Sequence, residues 1–252
     1  MLVFIFRRLL VAFSVAITVS IVSFMLLHLS GDLAISIAGP ESTAEQVEQI
    51  RIDFGLDKPM VYQYFDWLWS AAQLDFGRSY YFQDTVMSLI SDRLPVTLTL
   101  GGMALSLATL LAIPLGVIAA IKQDTWIDRL ALSIAVIGQA MPSFWFGLTL
   151  IVIFAVNLHW LPAGGNDSWQ HFVLPCIALG YYAMPAMMRL TRTGMLEVLN
   201  SDYIRTARSK GLNESSVIFK HALRNAVIPV VALAAVELGF MLGGSVVIES
   251  VF

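Results

Sequence analysis

The sequence predicts an all-α polytopic membrane protein with five transmembrane helices. Three observations carry this. Of 252 residues, 58% are hydrophobic and only 13% are charged, against about 25% charged in ordinary soluble domains, and the mean hydropathy is +0.76. Several apolar runs reach the roughly 20 residues that an α-helix needs to cross a bilayer. Lys and Arg alternate between rich and empty loops along the chain, as they do in a multi-pass protein.

The elements follow in order. "MLVFIFRRLLVAFSVAITVSIVSFMLLHL" opens the chain. Its apolar stretch after Arg8 runs for about 20 residues, longer than the 7–15 of a signal-peptide core, and no small-residue cleavage site follows. It reads as an uncleaved first membrane helix. Membrane segments are expected at about 9–29, 96–120, 130–156, 174–196 and 225–248. The fourth is the least apolar, since it holds Gly180, Tyr181, Tyr182 and Pro185. Arg7 and Arg8 precede the first segment, Lys122 and Arg129 follow the second, and Arg189, Arg192, Arg205, Arg208, Lys210, Lys220 and Arg224 lie between the fourth and fifth. The loop after the third, "NLHWLPAGGNDSWQHFVLP", has no Lys or Arg. The positive-inside rule therefore places the N-terminus in the cytoplasm.

Three regions result: an N-terminal helix (1–29), an extracytoplasmic helical segment (30–93) and a core (94–252) with a cytoplasmic loop at 197–224. The segment 30–93 carries ten acidic residues against four basic ones. It reads as folded. Thr43 caps a helix carrying Val47, Ile50 and Phe54, and Gly55 and Pro59 end it. "MVYQYFDWLWSAAQLDF" is an aromatic-rich amphipathic helix suited to a membrane interface. A further interfacial helix around "TVMSLISDRL" leads to Leu94-Pro95, which opens the second membrane helix. The segment is either a docking surface for a partner or a spacer that caps the helices.

Self-contained chemistry finds no support. The lone Cys176 excludes an intrachain disulfide and reads as a small buried residue. No GxxxxGK[ST] nucleotide loop and no Gly-x-Ser-x-Gly elbow occurs. His28, His159, His171 and His221 are scattered, so no metal-ligand spacing arises. The inverted halves of many secondary transporters are not evident.

Features that suit a transport route are present instead. Pro142 sits inside the third segment and Pro185 inside the fourth. Each removes a backbone hydrogen bond, which a bilayer tolerates only where protein or a water-lined cavity satisfies the freed carbonyl. Either proline alone is equally an ordinary packing kink. Glu237 falls near the middle of the fifth segment, where a carboxylate costs on the order of 3 kcal/mol or more. It lines a route, pairs with a neighbouring subunit, or is protonated and buried. Gly239 and Gly243 form a GxxxG that permits close helix contact.

The stretch "YIRTARSKGLNESSVIFKHALRNAVIP", Tyr203 to Pro229, is the most specific feature. Its charge needs only the positive-inside rule, but its punctuation needs more. Ser201 stands as a helix cap, Ile204 and Ala207 make an apolar or small face, and Gly211 is a stop. Asn213 then caps a second helix with Val217, Ile218, Ala222 and Leu223 on one side. Two short helices joined at a glycine make a compact knob able to fit a groove on another protein. The stretch closely resembles the cytoplasmic "EAA" loop of permease subunits of ATP-binding cassette importers. In the dipeptide, oligopeptide, nickel and glutathione branch that loop reads near "YxRTARAKGLxxxxVxxxHALRNAxxP". "GLDKPMVYQYFDWL", "LDFGRSY", "RLPVTLTLG", "MPSFWFGLTLI", "WLPAGG", "HFVLP" and "GGSVVIESVF" are similar to the same branch, in order along almost the whole chain.

The resemblance implies two permease subunits enclosing a route in the bacterial inner membrane, two cytoplasmic ATPase subunits that use the ATP, and an extracytoplasmic solute-binding protein. The chain itself would bind no cofactor, metal or nucleic acid, and would contact membrane lipid. It would be no enzyme. By that resemblance Tyr203, Arg205, Ala207, Arg208, Lys210, Gly211 and Leu212 couple to the ATPase, while Pro142, Pro185 and Glu237 are candidates for the route. Peptides are the expected cargo, with nickel or glutathione as alternatives, and a non-transporting scaffold as a further reading. Two departures stand out. Gly31-Asp32-Leu33 replaces the common Gly-Asp-Pro, and the sequence stops at "ESVF" where the family usually continues into a sixth membrane helix, so the chain reads as truncated there.

Overall fold

The computed structural model describes residues 1–39, 41–79 and 81–252, with the side chains of Gly244 and Ser245 excepted. Tyr80, the last residue of the "LDFGRSY" motif, lies outside them. The described residues are helical, with no β-strand and one isolated bridge between Arg78 and Thr85. The chain divides into two units, Met1–Asp92 and Arg93–Phe252.

In the first unit, α1 (Leu2–Leu29) has no buried residue, as befits a helix built to meet lipid or another protein. One stripe of it is engaged. Ser20, Phe24 and His28, four residues apart, share a face. Ser20 and Tyr64 share a hydrogen bond of 2.9 Å, Phe24 meets Tyr64 edge-on, and His28 Nε2 reaches Gln63 Oε1 at 3.0 Å. Tyr64 and Gln63 belong to α4 (Met60–Ala72), the aromatic amphipathic helix expected from the sequence. Between them lie α2 (Leu33–Ala38) and α3 (Ala44–Asp53). Thr43 caps α3 in a full capping box with Gln46. Asp32 caps α2 through the Ala34 N–H and pairs with Arg51 on α3. The Arg51 guanidinium holds the Asp32 carboxyl below the usual carboxylate range.

Helix α5 (Val86–Ile121) corrects one expectation. Leu94-Pro95 does not open a new helix: Pro95 and Pro114 both lie inside one continuous helix. The residues around Pro95 are exposed, so the carbonyl deprived of its partner is open to solvation.

In the second unit α8 (Val173–Leu199) is the centre, with α6 (Trp126–Ala140), α7 (Ser143–Leu150) and α12 (Ile228–Glu249) packed on it. This explains its weak hydropathy. Leu174, Met187, Met188 and Met195 on α8 are fully buried, so α8 faces protein over more of its surface than the other two long apolar helices do. A four-residue stripe on α5 (Ala104, Ala108, Ala112, Gly116) lets the two backbones meet. A Cβ on Gly116 would stand 2.6 Å from the Met188 carbonyl, and one on Gly180 2.8 Å from that of Ala104.

Among the described residues three helices are long and apolar enough to cross a membrane: Leu2–Leu29, Val86–Ile121 and Trp169–Leu199. Two bent pairs bring the number to as many as five. The expected third segment is broken by 101° between Ala140 and Ser143, with Met141 extended and Pro142 at the cap of α7, which runs on as a wide π-helical stretch, Ile151–Asn157. The fifth is bent by 50° near Val227. Arg189 and Arg192, placed by the sequence in the loop after the fourth segment, lie on α8 itself.

Candidate functional site

The hairpin of residues 201–226 forms as its punctuation suggests. Helix α9 (Asp202–Ser209) ends in a Schellman turn. The Leu212 N–H donates to the Ala207 carbonyl at 3.4 Å and the Gly211 N–H to the Arg208 carbonyl at 2.9 Å. Gly211 holds φ +75° with nothing within 4 Å of where a Cβ would sit. Conformation, and not crowding, requires glycine there. Asn213 Oδ1 accepts from the Ser216 N–H at 2.8 Å and so caps α10 (Glu214–Ser216), which continues through a π-helical stretch, Val217–Ala222, into α11 (Leu223–Ala226). Ser201 stands at the cap position of α9, but its hydroxyl donates back to the Val198 carbonyl and makes no cap bond.

One face of this knob is a seat. Ile204, Ala207, Val217, Ala222 and Ala226 bury against Val117 and Ala120 of α5 and Met195 of α8. Burying a side chain the size of Ile204 or Val217 contributes about 1.5–3 kcal/mol. Arg208 makes a forked pair with Glu214 across the turn, at 2.7 and 3.3 Å, but both are half exposed and such pairs contribute about 0–1 kcal/mol. The apolar seat therefore holds the knob, and the ion pair shapes its tip. Asn225 Nδ2 donates to the Tyr203 hydroxyl at 2.7 Å and ties the two arms together.

The other face is open. Tyr203, Arg205, Arg208, Lys210, Gly211 and Leu212 are exposed. Ala207 differs: it points into the seat, so its small size matters to packing. Phe219, on the Val217–Ala222 stretch, is 60% exposed, an apolar side chain that helical spacing alone did not mark.

Asp128 is 2% exposed and joins α6 to α8. Arg192 Nε and Nη2 donate to its two oxygens at 2.7 Å each, and the Asp124 N–H donates at 3.0 Å. A bidentate guanidinium–carboxylate pair fixes relative orientation as well as distance. It lies near the end of α8 that leads into the knob. The partners are 64 residues apart, so no local pattern could pair them.

The three route candidates fall in different settings. Pro142 marks the break between α6 and α7. Pro185 is fully buried in the α6–α8 seam against Gly138, and α8 continues through it. Glu237 is half-buried on α12. Among the described residues nothing outside their own helix lies within 4 Å of where a Cβ on Gly239 or Gly243 would sit. Among the described residues no group of three or more His, Cys, Asp or Glu side chains is placed to hold a metal.

Comparison with known proteins agrees with this architecture. Residues 112–252 match the family model described as binding-protein-dependent transport system inner membrane component, and residues 1–101 match its N-terminal companion. The chain is 43% identical over 253 aligned residues to the glutathione transport system permease protein GsiC of Escherichia coli, covering 100% of this chain and 83% of that protein. The same coverage holds for the protein of that name from Shigella flexneri, at 43% identity, and from Shigella boydii, at 42%. This chain belongs to the inner-membrane permease subunits of binding-protein-dependent, ATP-binding cassette importers.

Proposed function

We propose that this permease subunit imports glutathione or a closely similar short peptide. It would form half of a two-permease route, powered by two ATPase subunits and supplied by an extracytoplasmic solute-binding protein. The observation that carries the substrate is the identity of 43% over the whole chain to glutathione transport system permeases. Glutathione is itself a tripeptide, so this reading narrows the peptide class and leaves nickel behind.

The knob is the coupling element in this reading. Its exposed tip, from Tyr203 to Leu212, would enter a groove on the ATPase, and Gly211 would set the turn. Its buried face would transmit the push to α5 and α8 through Val117, Ala120 and Met195. The Asp128–Arg192 pair would carry the movement to α6. A rigid path of this kind is what a two-state switch needs. The N-terminus would be cytoplasmic, and ATP would be used by the partners alone.

The test is uptake into proteoliposomes holding the chain with its partner permease, ATPases and binding protein. Glutathione should accumulate with ATP. Accumulation of nickel ion or of dipeptides in preference to glutathione contradicts the assignment.

A further inference from the structure

The importer reading gives no role to Arg189, a charged side chain on the core's central helix. Arg189 lies on α8, one turn from Arg192. Arg192 is neutralised by Asp128, three residues into α6. Arg189 is not so paired: among the described residues no carboxylate forms a salt bridge with it. Its Nη2 instead donates to Gln139 Oε1 at 2.8 Å.

The direction of that contact matters. Gln139 lies eleven residues beyond Asp128 on α6, about 16 Å along the axis. An arginine near the end of a membrane segment ordinarily extends toward the nearer aqueous boundary. Here the guanidinium is drawn the other way, toward the point where α6 ends at Ala140 and the chain turns by 101° into α7. Broken membrane helices mark places where backbone lines a cavity or a binding site.

Both side chains are accessible on the surface of the chain. A guanidinium and a carboxamide facing lipid would be costly, so this face borders water or protein. Arginine offers five N–H donors, and Gln139 occupies one. With its oxygen turned to Arg189, the Gln139 amide leaves its own two N–H donors available beside the guanidinium. A planar fork next to an amide donor matches a carboxylate.

We infer that Arg189 and Gln139 form a carboxylate-recognition point at the α6–α7 break, where the acid group of the imported solute is held during passage. This rests on the importer reading and adds to it the solute class: a carboxylate-bearing, net anionic molecule such as glutathione. It also accounts for a cation placed on the core's central helix without an acidic partner.

The test is equilibrium binding of glutathione and of its dicarboxamide to the purified permease–ATPase complex without binding protein. The wild-type complex should prefer the acid by about tenfold, the discrimination expected when a charged hydrogen-bond partner is lost. Arg189→Gln should bind both alike. Gln139→Glu, which keeps side-chain volume and supplies an internal carboxylate to occupy the guanidinium, should also bind both alike. It serves if the first variant fails to assemble. An acid preference retained in either variant overturns the inference, and so does a wild type without preference. Glutathione uptake by the same wild-type complex would then leave the importer reading standing.

Discussion

Removing the Asp128 carboxylate is expected to cost more than any single change on the open face of the knob. The group is 2% exposed and accepts three hydrogen bonds, two from Arg192 and one from the Asp124 N–H. Breaking a buried pair by deleting one partner costs about 3–5 kcal/mol, because the remaining charge is left without compensation. Arg192 keeps 18% of its side chain accessible, so water relieves part of that penalty and Asp128→Ala should fall near the lower end, about 3 kcal/mol. Asp128→Asn should do little better, since its amide nitrogen must face another donor. The double variant Asp128→Ala with Arg192→Met removes both charges and should recover most of the loss. At about 2–4 °C per kcal/mol for a chain of this size, the single variant should lose about 6–12 °C in thermal unfolding. The measurement is unfolding of the purified chain in detergent, followed by helical circular dichroism, as a double-mutant cycle. Equal midpoints for wild type and Asp128→Ala, or a double variant no better than the single, would refute the account of this pair.

Three further outcomes follow from named contacts. Gly116→Ala should separate α5 from α8, because its methyl group would meet the Met188 carbonyl at 2.6 Å; a loss of about 1–3 kcal/mol in the same unfolding assay is expected. Tyr203→Phe removes the hydrogen bond from Asn225 and should loosen the two arms of the knob by about 1 kcal/mol, read as faster amide exchange at α9 with assembly intact. The Asp32–Arg51 link should depend on pH in one direction only. Asp32 titrates below the ordinary aspartate value of about 3.9, so the stability it lends is fully present above that value and is lost as pH falls through its lowered folded value. Protection of the α2 and α3 amides, corrected for intrinsic exchange, should therefore be flat across neutral pH and fall only in strong acid.

Much of this arrangement was legible in the residues, for local reasons. Hydropathy and the alternation of Lys and Arg marked the segments because lipid imposes a length and a side on each. Ile204, Ala207, Val217 and Ala222 lie on one face at helical spacing, and Gly211 and Asn213 carry turn and cap chemistry, so the knob could be drawn from its own sequence. Thr43, with Val47, Ile50 and Phe54 at helical spacing, announced α3 in the same way. What escaped was non-local. Pro95 reads as a helix start and sits inside a helix, because solvation of one freed carbonyl costs little at an exposed position. Pro142 reads as a kink and marks a break of 101°. Arg189 and Arg192 count toward the positive loop by charge alone. Their partners, Gln139 and Asp128, are 50 and 64 residues away, beyond any periodicity.

In the proposed function the knob around Gly211 docks on an ATPase subunit and couples to it. A residue with a Cβ costs about 1–2 kcal/mol at the left-handed conformation that Gly211 adopts, and asparagine is tolerated best. Among the described residues, chain neighbours apart, none lies within 4 Å of where a Cβ would sit, so the series Gly211→Asn, Gly211→Ala and Gly211→Val acts first on the turn. The direct measurement is ATPase co-purification and solute-stimulated ATP hydrolysis by the assembled complex across that series. Near-normal coupling is expected for asparagine, a clear loss for alanine and the greatest loss for valine. Valine equal to glycine in both capture and stimulation would contradict it.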